Sequence, residues 1–130
     1  MSNQINDVIE KLSGFMFGYS TGIQYILKHN QPLPEGIEVT PIGDFNVYSR
    51  VMKYDEDTHV IFQLGKQCVQ VDVDSFIAKN VISLVIGPNS KIISTKTPGK
   101  SIPVSLNEIS VETFKDAVIL FKDEFISGIE

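Results

Sequence analysis

The feature that most constrains this chain is a change of hydrophobic period near residue 37. Between residues 5 and 29 the apolar side chains recur at three- and four-residue intervals. On a helical wheel Ile5, Val8, Ile9, Leu12, Phe15, Met16, Tyr19, Ile23, Ile26 and Leu27 fall in one arc of about 120°. Asn6, Asp7, Glu10, Ser13, Ser20, Thr21, Gln24 and Lys28 fall outside it. This predicts an amphipathic helix that stops near Asn30, where Gln31-Pro32-Leu33-Pro34-Glu35-Gly36 supplies turn and linker chemistry. From Ile37 the period becomes two, the signature of strands with one buried face. A helix of this kind needs a second apolar layer to cover its stripe, and the strands provide one.

The alternating region divides at its turn residues. Phe45–Tyr54 reads as a strand with Phe45, Val47 and Val51 on one side and Tyr48, Arg50, Met52 and Tyr54 on the other. Asp55-Glu56-Asp57 is a polar turn. His59–Leu64 and Gln67–Val73 read as strands joined by a type II′ turn at Gly65-Lys66. In that hairpin Val60, Phe62, Leu64, Val69, Val71 and Val73 share a face, and His59 lies opposite Asp72. Residues 74–80 read as a short helix or loop. Val81–Ile86 is a short apolar strand, and Lys91–Thr95 and Ile102–Leu106 are further strands, the last on an edge because of Pro103. Ser110 suits the N-cap of a final helix over roughly 111–127, with Val111, Phe114, Ala117, Val118, Phe121 and Phe125 facing inward. The reading is one α+β domain spanning 1–130. It has an N-terminal amphipathic helix, a five- to six-stranded mostly antiparallel sheet, and a C-terminal helix packed on that sheet.

Composition narrows the function. A chain of 130 residues with net charge −5 lacks the basic excess that a nucleic-acid backbone or an anionic membrane surface selects. No apolar run is long enough to span a bilayer, and the first residues lack the basic-then-apolar pattern of a signal peptide. The single cysteine, Cys68, leaves no intramolecular disulfide and fits a reducing compartment. The expectation is a cytoplasmic protein of the producing or host cell.

No catalytic or cofactor signature survives inspection, and the expectation is a non-enzyme without cofactor or metal. Ser94 to Ser101 ends in Gly99-Lys100-Ser101, like a phosphate-binding loop, but Ser94 replaces the first glycine and Ile102-Pro103-Val104 follows where a helix is required. Asp72 and Asp74 share a strand face and, with Asp55 or Asp57, form a candidate for a hard cation; the spacing of an EF-hand is missing. The register puts His59 near Asp72 and away from Cys68, which leaves no Cys–His dyad.

Two surfaces read as interaction sites. Tyr48, Arg50, Met52 and Tyr54 form an aromatic and basic strip of the kind enriched at protein interfaces. In the first helix Gly14, Gly18 and Gly22 recur every fourth residue at about 320°, 0° and 40°, beside the apolar arc, and Phe17 and Tyr25 also lie off it. Three interior glycines cost about 3 kcal/mol relative to alanine. Close approach of another backbone would offset that cost, and a break in the helix would avoid it.

The layout resembles that of type III secretion chaperones, which are small, acidic, α+β and dimeric. The resemblance rests on length, charge and element order, and it carries no site residue. Small phage and viral accessory or virion proteins share the same character. The expected function is a non-enzymatic protein–protein interaction module that forms a homodimer or higher homo-oligomer, as an adaptor, inhibitor, chaperone or assembly component. The alternative is a small-ligand or nucleotide-binding domain using the Lys-rich loop 91–101, with Lys96, Lys100 and Ser101 as contacts. An enzyme built on scattered carboxylates ranks last.

Overall fold

The computed structural model describes residues 2–66, 81–94 and 100–121. An N-terminal helix, α1 (Ser2–Lys28), is followed by strands β1 (Glu38–Ile42), β2 (Phe45–Tyr54), β3 (Asp57–Lys66), β4 (Val81–Ile86), β5 (Lys91–Ser94) and β6 (Ser101–Pro103). A second helix, α2 (Val111–Leu120), closes the described chain. The strands form one six-stranded antiparallel sheet in sequence order, the α+β arrangement expected from the period change.

Local chemistry sets the boundaries. At the end of α1, Asn30 takes the left-handed conformation (φ 54), which asparagine tolerates better than most residues. This lets the Gln31 N–H reach the Ile26 carbonyl at 3.0 Å and the Asn30 N–H reach that of Leu27 at 3.3 Å, the double closure of a Schellman cap. The β1–β2 turn is Gly43-Asp44, with Gly43 at φ 59 in the first loop position, as a type II′ turn requires. Asp55-Glu56 makes the β2–β3 turn, Asp55 at φ 52. Ser110 is extended before α2, and its N–H donates to Thr113 Oγ1 at 3.0 Å, which fixes the start of that helix.

Alternation sends Val47, Val60, Phe62, Leu64, Ile82, Leu84 and Ile92 to one face of the sheet. These pack in one core with Val8, Leu12 and Met16 of α1 and Phe114, Val118 and Phe121 at the C-terminal end. The two helices lie side by side and antiparallel. Phe17 meets Phe114 with ring centroids 6.5 Å apart, and nearer the N-terminus of α1 Glu10 pairs with Lys115.

Several sequence expectations change here. Gly65 and Lys66 are not a turn; they extend β3 and pair with Asn46 and Phe45 of β2. A Cβ on Gly65 would lie 3.2 Å from the Tyr48 ring, so the glycine sits under an aromatic side chain inside the ladder. The expected hairpin partner 67–73, with Cys68 and Asp72, lies outside the described residues, as do Asp74, residues 75–80 and Phe125. His59 is flanked by Met52 on β2 and Val85 on β4, so both of its cross-strand positions are taken, and Asp72, its expected partner, lies outside the described residues. The strand expected at Ile102–Leu106 is Ser101–Pro103, and after it the Val104 N–H donates to the Ser90 carbonyl. Val111, assigned to the apolar arc of the last helix, is exposed.

The second face of the sheet was expected to be mostly wet. Instead Tyr48, Ile61 and Val81 form a small buried cluster on it, with Ile37 and Met52 against them. Both sheet edges carry a proline: Pro41 in β1 and Pro103 in β6. In a two-residue hairpin the closing pair, here Ile42 and Phe45, is hydrogen-bonded, so Pro41 falls where an N–H would point away from β2.

Candidate functional site

The unexplained glycines lie in an unbroken helix, so the alternative of a break near Gly14 to Gly22 does not apply. All three are exposed, and a Cβ added to any of them would meet nothing within 4 Å. Among the described residues no strand and no second helix approaches them. The close helix–helix contact lies instead on the neighbouring side of α1. Ser13 and Ser20, placed outside the apolar arc by their polarity, are fully buried at about 220° and 200° on the wheel. Ser13 donates to the Ile9 carbonyl at 2.6 Å, whereas the Ser20 hydroxyl has no hydrogen-bond partner. Phe17, at about 260°, is half-buried against Phe114. The second apolar side of α1 is therefore occupied by α2 at Phe17 and open at Tyr25. Tyr25 is 57% exposed and stacks on His29 with centroids 4.2 Å apart.

The open end of α1 borders a shallow groove of about 460 Å³ lined by Thr21, Gln24, Tyr25, Leu27, Lys28, Ile86, Leu106 and Asn107. Leu106 and Asn107 arrive from the segment between β6 and α2, a position that no local pattern reveals. On the core side of α1, Tyr19 stacks edge-on against Phe62 at 5.7 Å. Burial, and secondarily the negative charge of Glu38, pushes its phenol up to about 12.

The Tyr48–Tyr54 strip splits by exposure. Tyr48 is buried, its hydroxyl accepting from Asn46 Nδ2 at 3.4 Å, and it belongs to the small second-face cluster. Arg50 and Met52 are half-buried and Tyr54 is 47% exposed. Tyr54 donates to the Met52 sulfur at 3.4 Å and stacks edge-on against His59 at 5.0 Å. Along the same line across the sheet lie Met52, His59, Val85 and Lys91. Desolvation lowers the His59 pKa; Asp57 opposes that shift and Lys91 adds to it. The result is a half-wet patch of aromatic, sulfur and cationic groups. Such groups can stack on aromatic rings and pair with anions.

Of the Lys-rich loop, Lys91 lies at the edge of this patch and residues 95–99 lie outside the described residues. Lys100 and Ser101 are exposed at the start of β6, and Lys96 lies outside the described residues. Ser101 is opposite Ile93, on the same sheet face as Tyr54. Four strand spacings separate β2 from β6, about 19 Å at ~4.8 Å each. A strand follows Lys100 and the next helix begins at Val111, so the amide cradle of a phosphate loop is not built here. The acidic turn Asp55, Glu56 and Asp57 lines a pocket with Pro88, Asn89 and Lys91, and the Asp57 carboxylate lies against Gly87, where a Cβ would come within 2.0 Å. Among the described residues no three His, Cys, Asp or Glu side chains gather as a metal site. No helix among them is long and apolar enough to cross a membrane.

Comparison with protein-family models, with curated proteins and with solved structures finds no match to this chain.

Proposed function

We propose that the protein is a non-enzymatic protein–protein interaction module that self-associates, acting as an adaptor, inhibitor, chaperone or assembly component. The observation that carries this reading is the exposed side of α1. Three glycines there cost helix stability, about 3 kcal/mol in all, and no described residue of their own chain packs against them in return. A neighbour from outside the chain supplies the missing reason. The half-wet patch of Arg50, Met52 and Tyr54 is a second contact surface suited to a protein partner, since aromatic, Met and Arg side chains are favoured at interfaces.

Sedimentation velocity over a concentration series tests the reading. The expected result is a dimer or larger homo-oligomer that dissociates on dilution and is weakened by Gly18→Leu. A monomer that persists at high concentration, unaffected by Gly18→Leu, overturns it. A thermal shift with nucleotides that disappears in Lys100→Ala would move the assignment to ligand binding at the Lys-rich loop.

A further inference from the structure

One face of α1 has no partner among the described residues, and its two ends carry different side-chain pairs about a glycine centre. Asp7, Lys11, Gly14, Gly18, Gly22, Tyr25 and His29 are all exposed and fall within about 80° of one another on the helix. Any helix face spaces its residues this way about a central position; here that position is Gly18, with Gly14 and Gly22 on either side, Asp7 and Lys11 at one end and Tyr25 and His29 at the other. Asp7 and His29 stand about six turns apart at 3.6 residues per turn, so the strip runs parallel to the helix axis. Two helices can therefore lie along it lengthwise instead of crossing at a point.

The chemistry is symmetric in a complementary sense. At the N-terminal end Asp7 and Lys11 form an ion pair at 3.2 Å. At the C-terminal end Tyr25 and His29 form a stacked pair. An antiparallel second copy with Gly18 over Gly18 brings Lys11 to the face of the partner's Tyr25, a cation–π contact, and Asp7 to the imidazole N–H of the partner's His29. Gly14 then meets the partner's Gly22. The bare glycines let the two backbones approach to the short end of the usual ~8–10 Å interaxial range. A parallel second copy sets Asp7 beside Asp7 and Lys11 beside Lys11, and like charges repel. Strand addition at the sheet is disfavoured by the prolines on both edges.

We propose that two copies of this protein associate through an antiparallel contact of their α1 helices centred on Gly18, each Asp7–Lys11 pair packing against the Tyr25–His29 pair of the other copy. This rests on the self-association read above and gives it a surface, a direction and a register.

Disulfide trapping in a Cys68→Ser background, read beside sedimentation, tests it. Gly18→Cys should cross-link under mild oxidation, because the two thiols meet across the two-fold axis within the Cα separation a disulfide needs, about 4.4–6.8 Å. Gly14→Cys alone should not, since its two copies are offset by about 12 Å along the axis at 1.5 Å per residue. A mixture of Gly14→Cys and Gly22→Cys chains should cross-link as heterodimers. Gly18→Leu should weaken the dimer at least tenfold while its thermal unfolding matches or exceeds that of the parent, and Tyr25→Ala should weaken it without loss of fold. Cross-linking by both Gly14→Cys and Gly18→Cys indicates a parallel pair and overturns the proposal. A dimer in sedimentation with no cross-link at any of these positions overturns the register and leaves self-association standing. A monomer at every concentration overturns both.

Discussion

Two sides of α1 carry small residues at regular spacing, and they have opposite fates. Ser13 and Ser20 are fully buried. Gly14, Gly18 and Gly22 lie about 100–200° further round, where a Cβ would meet nothing among the described residues. Polarity would sort these residues the other way, with the hydroxyls wet and the glycines inside. Size decides the buried positions: a side chain of two heavy atoms fits at Ser20 even though its hydroxyl finds no hydrogen-bond partner. Leaving a hydroxyl unpaired costs about 1–3 kcal/mol. Burial of neighbours such as Leu12, Met16 and Phe114, each worth about 1.5–3 kcal/mol, outweighs it.

The contrast can be broken from the α2 side with the largest effect. Phe114→Ala empties a fully buried site that touches Phe17 and should cost about 3–5 kcal/mol in denaturant unfolding. Ser20→Leu overfills a fully buried site and should cost about 1–3 kcal/mol, whereas Leu in place of Gly18 on the open side should cost nothing in the monomer. The sharper pair comes next. Ser20→Ala removes the unpaired hydroxyl and should stabilise by about 1 kcal/mol. Gly18→Ala should stabilise the monomer by about 0.8–1 kcal/mol through helix propensity alone, and equal effects at Gly14 and Gly22 would show that no intrachain contact uses any of the three.

The smallest expected effect is a pH slope from the core-facing side of the same helix. Tyr19 titrates at about 12 in the fold against 10.0 unfolded. Its contribution is intact below pH 10 and is lost as pH rises from there toward 12, because the unfolded chain ionises first. Tyr19→Phe should flatten stability over that alkaline window. His59 acts at the other end of the scale. Its depressed pKa means the unfolded chain takes up the proton first, so stability declines as pH falls below 6.5, and His59→Gln should remove that part of the slope.

What could be read before the fold was known divides along the same lines. α1, the β2–β3 turn, β4 and the start of α2 are each announced by local signals: a 3.6-residue stripe, an Asp-rich break, an apolar run and Ser110. Gly65 was misread because a glycine among alternating residues looks the same whether the chain turns there or an aromatic ring from the next strand lies over it. Tyr48 is one residue of the pair that decides this, and it arrives from a different strand. Ser13 and Ser20 are polar by type yet fully buried, and their burial depends on what packs around α1, which no local pattern reveals. The interaction strip was legible as composition, but its division into buried Tyr48 and exposed Tyr54 depends on what lies against each end of β2.

The prolines at the two outer strands have a further consequence. A meander of antiparallel strands is open-ended by construction, and each uncapped margin is a template on which further copies could stack without limit. Pro41 and Pro103 withhold a donor at each margin, and β6 offers only three residues. Strand-to-strand stacking of copies is thereby disfavoured at both margins, and Pro41→Val, which restores a donor at one of them, should raise the tendency to form fibres.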